Sequence, residues 1–359
     1  MYEKLLFPVK IGLRTIKNKI VAAPNPSFLC DDDGNLTPKF FNYYKEMADK
    51  SAGILIIEGA AISKEGRGWH NQCVVSDSLN FLGISELVVK MRKQDCLPMI
   101  QLYHGGINAI SGAHNKLYGP SKITHKKITG DITELTETDI DTIVNQYKKA
   151  AGLAWNAGFS GVEINAAEGT LLHQFLSPIT NKRTDLFAFG YDNGILILRK
   201  VISAVIEAVS EMVICVKLSM RDLIPGGAGL KNCIEIAKEL KSMGIGLFHV
   251  TEGLKIGDTA CLHPYLRNNI NPSPFADDAL VFKAETKCQV ILSTGMRNPE
   301  IAEKVLNKDC CDFISLSRSL NCEPEWIDMA ITNQPIEFYK KCKRCMLCQA
   351  ASKGCILRR

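Results

Sequence analysis

Residues 136–165, TETDIDTIVNQYKKAAGLAWNAGFSGVEIN, decide the fold. From Asp139 to Trp155, Ile140, Ile143, Val144, Tyr147, Ala150, Ala151 and Ala154 recur at three- and four-residue steps, the spacing of one helix face. Thr136 and Asp139 offer a capping box at its start, with Asp in place of the usual Glu. Gly158 ends the helix, and Gly161-Val-Glu-Ile-Asn165 then reads as a buried strand. Lys231–Met243, Gly244 and Leu247–Val250 repeat the unit. Working outward, eight short apolar runs are found: Ile20–Ala23, Ile54–Glu58, Met99–Tyr103, Val162–Asn165, Val213–Leu218, Leu247–Val250, Val290–Leu292 and Phe313–Ser315. Eight strand–helix units in about 350 residues predict an α/β fold, the (β/α)8 TIM barrel, whose chemistry sits at the carboxyl ends of the strands.

A chain of 359 residues suits one such barrel. Its 46% hydrophobic and 23% charged residues are those of a globular protein. The net charge of +5 is spread along the chain, which reads as a solvated surface and not as a nucleic-acid face. No run of about 18 apolar residues predicts a membrane span, and Met1–Lys10 lacks the apolar core of a signal peptide. The expectation is a cytoplasmic protein. Its fourteen cysteines are then mostly packing residues and not a disulfide scaffold. The oligomeric state is left open.

Two insertions interrupt the alternation. His104–Thr138 follows the third strand, and Gly253–Asp278 follows the sixth, with three prolines and His263. Such loops either cover a barrel mouth or bind ligands. Asn321–Pro335 reads as a last helix. The chain thus divides into a barrel over residues 1–335 and a short cysteine-rich C-terminal tail over 336–359. In that tail Cys342, Cys345, Cys348 and Cys355 are spaced tightly enough for iron–sulfur ligation. Four thiolates also suit tetrahedral zinc, and free thiols are the third reading.

The strand ends bring Pro24 and Asn25, Glu58 and Gly59, Gln101, Tyr103 and His104, Asn165 and Glu168, Lys217, His249 and Thr251 to one mouth. Ser293-Thr-Gly-Met-Arg297 leads into a helix near Pro299, and Ser315-Leu-Ser-Arg318 follows the eighth strand. Barrels bind phosphate with these two loops, and Arg supplies a bidentate clamp. Lys217 reads either as a Schiff-base lysine of the aldolase kind or as positive charge beside an electron-rich ring. Glu168 reads as a general acid or base, or as an ion-pair partner of Lys217.

These residues lie within longer blocks: Leu6-Phe-Pro-Val-Lys-Ile-Gly-Leu13, Lys17-Asn-Lys-Ile-Val-Ala-Ala-Pro24, Gln101-Leu-Tyr-His104, Ala157-Gly-Phe-Ser-Gly-Val-Glu163 and Gln174-Phe-Leu-Ser-Pro-Ile-Thr-Asn-Lys-Arg-Thr-Asp185. In these the chain resembles the old yellow enzyme family of FMN-dependent NADH:flavin oxidoreductases and ene-reductases, from Leu6 to about Trp326. Within it the chain looks nearest the 2,4-dienoyl-CoA reductase and 2-enoate reductase branch. The resemblance implies one FMN over the barrel mouth. Ala23, Pro24 and Asn25 would pass along it, Gly59 would sit near the ring, and Gln101 would bond its pyrimidine edge. Lys217 takes the place of the family's Arg near N1, and Gly295, Arg297, Ser317 and Arg318 would hold the phosphate. NAD(P)H would be the reductant.

The departures concern the substrate side. Asn165 and Glu168 replace the family's His-His or His-Asn pair, Thr170 its proton-donating Tyr, Pro26 its flavin-tuning Cys or Thr, and Ile107 an Arg. Another proton donor is therefore expected: Glu168 first, its pKa raised by burial against an apolar flavin face, then Tyr103, His104, Tyr191 or His263. The branch carries a [4Fe–4S] cluster after its barrel, at wider cysteine spacing than here. The expected activity is reduction of an activated C=C bond in an enoate, enone or larger conjugated small molecule. The alternative is an electron-transfer flavoprotein subunit served by a separate electron-donor protein.

Overall fold

The structure, a computed structural model, describes residues 2–75, 83–110, 116–124, 128, 130–257 and 273–335. Eight strands form a closed barrel: β1 (Ile20–Ala22), β2 (Ile54–Ala61), β3 (Leu97–Tyr103), β4 (Gly161–Ala166), β5 (Val213–Ser219), β6 (Leu247–Thr251), β7 (Gln289–Leu292) and β8 (Phe313–Leu316). They are parallel and neighbour one another in chain order. β8 pairs back onto β1, with Ile314 opposite Ile20, so the barrel has no free sheet edge. Around it lie α1 (Pro38–Ala48), α2 (Ile84–Lys93), α3 (Glu137–Asn156), α4 (Leu196–Ala208), α5 (Leu230–Ser242), α6 (Ala276–Thr286), α7 (Pro299–Asn307) and α8 (Trp326–Ile331).

The predicted barrel and its first unit are present. Thr136 Oγ1 accepts the Asp139 N–H at 3.2 Å, and Asp139 Oδ2 accepts the Thr136 N–H at 2.9 Å, so the capping box starts α3. Strand residues alternate between two layers. Ile20, Ile100, Val162, Ile164, Val216, Phe248 and Val290 face the helices. Val21, Ile54, Ile56, Met99, Leu247, Ile291 and Phe313 face inward at the amino end of the barrel. An antiparallel hairpin, Val9–Ile11 with Arg14–Ile16, adds Ile11 and Ile16 to that inner cluster and stops this end.

Two boundaries differ from expectation. β2 runs past Glu58 to Ala61, through a register shift between Ile57 and Gly59 and a bridge from Ala61 to Val74. The expected last helix over Asn321–Pro335 is two short ones, Arg318–Cys322 and α8. Pro324 separates them. It has no N–H to donate and drives Glu323 out of helical geometry, to φ −132° and ψ 80°.

The two insertions meet. Lys116–Gly119 pairs in parallel with Asp131–Glu134, and Leu117 and Ile132 pack with Ile107, Leu254 and Ile256 in a small separate core. Asn108 fastens them over the loop after β4: its Nδ2 donates to Gly169 O at 2.7 Å and Lys255 O at 2.8 Å, and its Oδ1 accepts the Gly257 N–H at 2.7 Å. The described cysteines are all free and buried, as packing residues are. Among the described residues no helix is long and apolar enough to cross a membrane. His263 and the tail cysteines Cys342, Cys345, Cys348 and Cys355 lie outside the described residues.

Candidate active site

Above the apolar inner layer the inward positions turn polar. Register places Gln101, Glu163 and Cys215 at one level on β3, β4 and β5, and Asn165, Lys217 and His249 at the next on β4, β5 and β6. Glu163 accepts from Gln101 Nε2 at 2.6 Å and pairs with His249 Nδ1 at 2.7 Å; both Glu163 and His249 side chains are 0% exposed. Ser293, just past β7, meets His249 Nε2 at 2.7 Å. Asn165 Nδ2 donates to Gln101 Oε1 at 3.0 Å, and Asn165 Oδ1 accepts the Ala167 N–H at 3.1 Å. Burial works to raise the Glu163 carboxyl, but His249, Lys217 and Gln101 hold it below its ordinary value.

At the open end Lys217 Nζ lies 2.7 Å from Glu168 Oε2. The lysine side chain is 9% exposed and the glutamate 48%. Glu168 is held in left-handed geometry (φ 54°), followed by Gly169 at φ 84°. A Cβ on Gly169 would stand 2.2 Å from Lys255 O, so the turn requires glycine. The Glu168 N–H donates to Ser219 Oγ at 2.9 Å, and Thr251 Oγ1 donates to Glu168 Oε1 at 3.1 Å. Burial works to raise Glu168 and to lower Lys217. Their mutual attraction reverses both, leaving the carboxyl below and the ammonium above its ordinary range. Of the two roles expected for Glu168, the geometry shows the ion pair with Lys217. A charged Lys217 also lacks the free amine that a Schiff base needs.

The other proton-donor candidates divide. Thr170 Oγ1 donates to the Asn165 carbonyl at 2.9 Å and the Ala167 carbonyl at 3.0 Å, so its hydroxyl serves the backbone. His104 is buried, its Nδ1 accepts the Gly106 N–H at 3.0 Å, and burial pushes its pKa down to about 4 despite Glu65 nearby. Such a ring is neutral at physiological pH. Tyr191 is exposed. Tyr103, half-buried, packs edge-on against Trp69 with ring centroids 5.2 Å apart. Burial, then the charge of Glu168, raises its phenol above the ordinary value.

The remaining cofactor candidates occupy the rim. A Cβ on Gly59 would lie 2.8 Å from Gln101 Oε1 and 3.2 Å from the Trp69 ring, so this position stays flat only as glycine. The Ala23 N–H donates to Leu316 O at 2.8 Å, which takes the chain through Pro24 to the buried Asn25. Asn25 Oδ1 accepts from Ser317 Oγ at 2.9 Å, joining the β1 and β8 loops. Arg297 and Arg318 follow the paired strands β7 and β8. Gly295 has φ 90°, Ser319 Oγ donates to Met296 O at 3.2 Å, and Trp326 Nε1 donates to Arg297 O at 2.9 Å, so the two loops are fastened together.

This donor set fits FMN. The flat glycine floor suits a planar ring, the Gln101 amide a pyrimidine edge, the Lys217 charge an electron-rich ring, and the paired arginine loops a phosphate. Among the described residues no three His, Cys, Asp or Glu side chains group as metal ligands. Two partners escape a reading by strand ends alone, Glu163 and the His249–Ser293 contact. Glu163 was visible by parity: Val162 and Ile164 face the helices, so Glu163 must face inward.

Comparison with known proteins agrees with this geometry. A family model, the NADH:flavin oxidoreductase / NADH oxidase family, matches residues 4–337. A metal reductase of Desulforamulus reducens is 30% identical over 359 residues, covering 98% of this chain and 51% of the relative. The chain thus spans about half the length of that relative. An NADPH dehydrogenase of Bacillus subtilis is 29% identical over 329 residues, 90% of this chain and 93% of the relative. Among solved structures, a 2-naphthoyl-CoA reductase with 2-naphthoyl-CoA is similar at TM-score 0.86 and 24% identity, over 93% of this chain and 53% of that one. This last likeness is one of fold. With its barrel, its polar mouth and a family match over nearly its whole length, the chain belongs to the NADH:flavin oxidoreductase / NADH oxidase family, the old yellow enzyme family.

Proposed function

We propose that the chain is a cytoplasmic FMN-dependent ene-reductase of the 2,4-dienoyl-CoA and 2-enoate reductase branch, using NAD(P)H to saturate an activated C=C bond. The observation that carries this reading is the Lys217–Glu168 pair set beside the Gln101–Asn165 amides at one mouth. When bound, FMN supplies the hydride from N5 to one carbon of the double bond. Lys217 keeps positive charge against the ring, while Glu168 orients that ammonium. Arg297 and Arg318 hold the phosphate. Tyr103, whose ring stands beside Gly59 and Trp69 at the mouth, gives the proton to the second carbon. Phe28, Trp69 and Tyr103 form an edge-on aromatic run beside Gly59, which favours a flat conjugated enoate or enone.

The tail motivates a second reading. Cys342, Cys345, Cys348 and Cys355 would bind a [4Fe–4S] cluster, with zinc as the other metal suited to four thiolates. The barrel would then exchange electrons with a separate donor protein. One preparation tests both. Protein purified without air is examined for flavin absorbance, iron and sulfide, then mixed with NADH or NADPH and a panel of conjugated acceptors. Flavin bands and acceptor-dependent oxidation of NAD(P)H support the ene-reductase. Full FMN loading with no turnover on any acceptor would sink it. About four irons per chain together with negligible reduction by either nicotinamide would favour the second reading.

A further inference from the structure

The buried network under the mouth has a direction, and that direction reaches the ligand. Glu163 lies inside the barrel with no route to water. Its Oε2 is held by His249 Nδ1 at 2.7 Å and by the Cys215 thiol at 3.7 Å, while its Oε1 accepts from Gln101 Nε2 at 2.6 Å. His249 is itself held by Ser293 at 2.7 Å. An ionised carboxylate can only accept hydrogen bonds. The Lys217 charge close by, with the hydrogen bonds from His249 and Gln101, favours that ionised form. The NH2 end of Gln101 must therefore face Glu163, and its carbonyl end must face away.

The far end of the amide agrees. Gln101 Oε1 accepts from Asn165 Nδ2 at 3.0 Å and borders the empty side of Gly59. Asn165 is oriented in turn, because its Oδ1 is taken by the Ala167 N–H at 3.1 Å. Side-chain amides are ordinarily ambiguous between two orientations. Here a chain of bonds from Ser293 on the β7 loop to Ala167 after β4 admits one.

We propose that Glu163 is a positioning residue that fixes the Gln101 amide carbonyl-outward, and that this orientation makes the site select a ring carrying a free imide N–H. This rests on the reading that FMN lies over the mouth with its pyrimidine edge on Gln101. That edge carries an N3–H donor between two carbonyls. Gln101 held carbonyl-outward offers one lone pair of Oε1 and its second N–H, a donor–acceptor pattern complementary to the N3–H and one adjoining carbonyl. With the amide reversed, two donors would confront each other and two acceptors likewise. With a neutral Gln at 163, either orientation of Gln101 finds a partner, and the selection is lost.

The test compares FMN with its N3-methyl analogue, which keeps the ring and phosphate but has no imide N–H. Full-length protein freed of flavin is titrated with each, following the quenching of flavin fluorescence. Wild type should prefer FMN by at least about tenfold, because the methyl group removes the N3–H hydrogen bond and crowds Gln101 Oε1. Glu163→Gln should bring the preference to within about threefold, and Gln101→Leu should abolish it. Should Glu163→Gln fail to fold, Glu163→Asp, whose carboxylate is drawn back by one methylene, should lower the preference in the same sense. A purely structural Glu163 would weaken both ligands equally and leave the ratio unchanged, which would overturn the proposal. So would a wild type indifferent to the methyl group. A wild type that binds neither flavin would instead overturn the FMN reading.

Discussion

Lys217 Nζ and Glu168 Oε2, on neighbouring strands' ends, stand 2.7 Å apart, a buried cation against a half-exposed carboxylate. Each sets the other's proton affinity. In Lys217→Met the largest opposition to burial at Glu168 is lost, with the Thr251 hydrogen bond remaining, and its pKa should rise. Turnover at neutral pH should fall on the order of 10²-fold, and the pH–rate profile should gain a limb that Lys217→Arg lacks. A Lys217→Met profile with the wild-type shape would remove the pair from the mechanism.

Tyr103→Phe separates proton delivery from hydride chemistry. Reduction of the bound flavin by NAD(P)H should keep its rate, while reoxidation by a conjugated acceptor should slow by about 10²-fold or more. Glu168→Gln should slow reoxidation by less than about tenfold, since its carboxylate is already ionised. Stopped-flow measurement of the two half-reactions checks both. The reverse ranking would restore Glu168 as the acid.

Gly59→Ala places a methyl group 2.8 Å from Gln101 Oε1 and 3.1 Å from the Tyr103 ring. Both side chains must shift. Flavin affinity should fall at least about tenfold, with the thermal midpoint of the flavin-free protein nearly unchanged. Equilibrium titration alongside a thermal melt distinguishes a lost floor from a lost fold.

Glu58 is wholly buried, and burial pushes its carboxyl up to about 7, although it accepts the Ser27 N–H at 2.8 Å and the Cys73 N–H at 3.4 Å. An unfolded Glu loses its proton near 4.3. Between that value and about 7 the folded protein binds more protons than the unfolded one, so stability is greatest below this window and declines as pH rises through it. Urea unfolding across the window should show a decline of at most about 4 kcal/mol in wild type relative to Glu58→Gln. Parallel curves for the two proteins would contradict the assignment.

Thr136→Ala removes the acceptor that caps α3 at its third N–H. The expected cost is about 1 kcal/mol, read as a lower urea midpoint with an unchanged slope.

The barrel was legible because apolar runs and helix faces are local patterns. α3 was expected over 139–155 and spans Glu137–Asn156, and each of the eight runs lies on a barrel strand or within a residue of its end. The break at Pro324 was equally local and follows from its missing N–H. The rim glycines and arginines also stand at the strand ends where they were expected. The ionic state of the site was not legible. Whether Glu168 is acid or ion depends on the approach of Lys217 from another strand, and a sequence read alone balances that against burial without a distance. Thr170 and His104 carry the right atoms for catalysis, yet backbone partners claim the threonine hydroxyl and one histidine nitrogen. Glu163 could be oriented by strand parity, but its bond to Gln101 needed the register of β3 against β4.

The hairpin that sets Ile11 and Ile16 into the inner cluster stops the amino end of the barrel, which leaves the carboxyl end as the approach among the described residues. Under the proposed activity, reductant and acceptor reach the flavin from this one end in turn, and a spent nicotinamide departs before the acceptor is admitted. This makes the two reactants rivals. An excess of either should obstruct the other, so crowding the entrance with acceptor should slow the reaction that acceptor otherwise feeds.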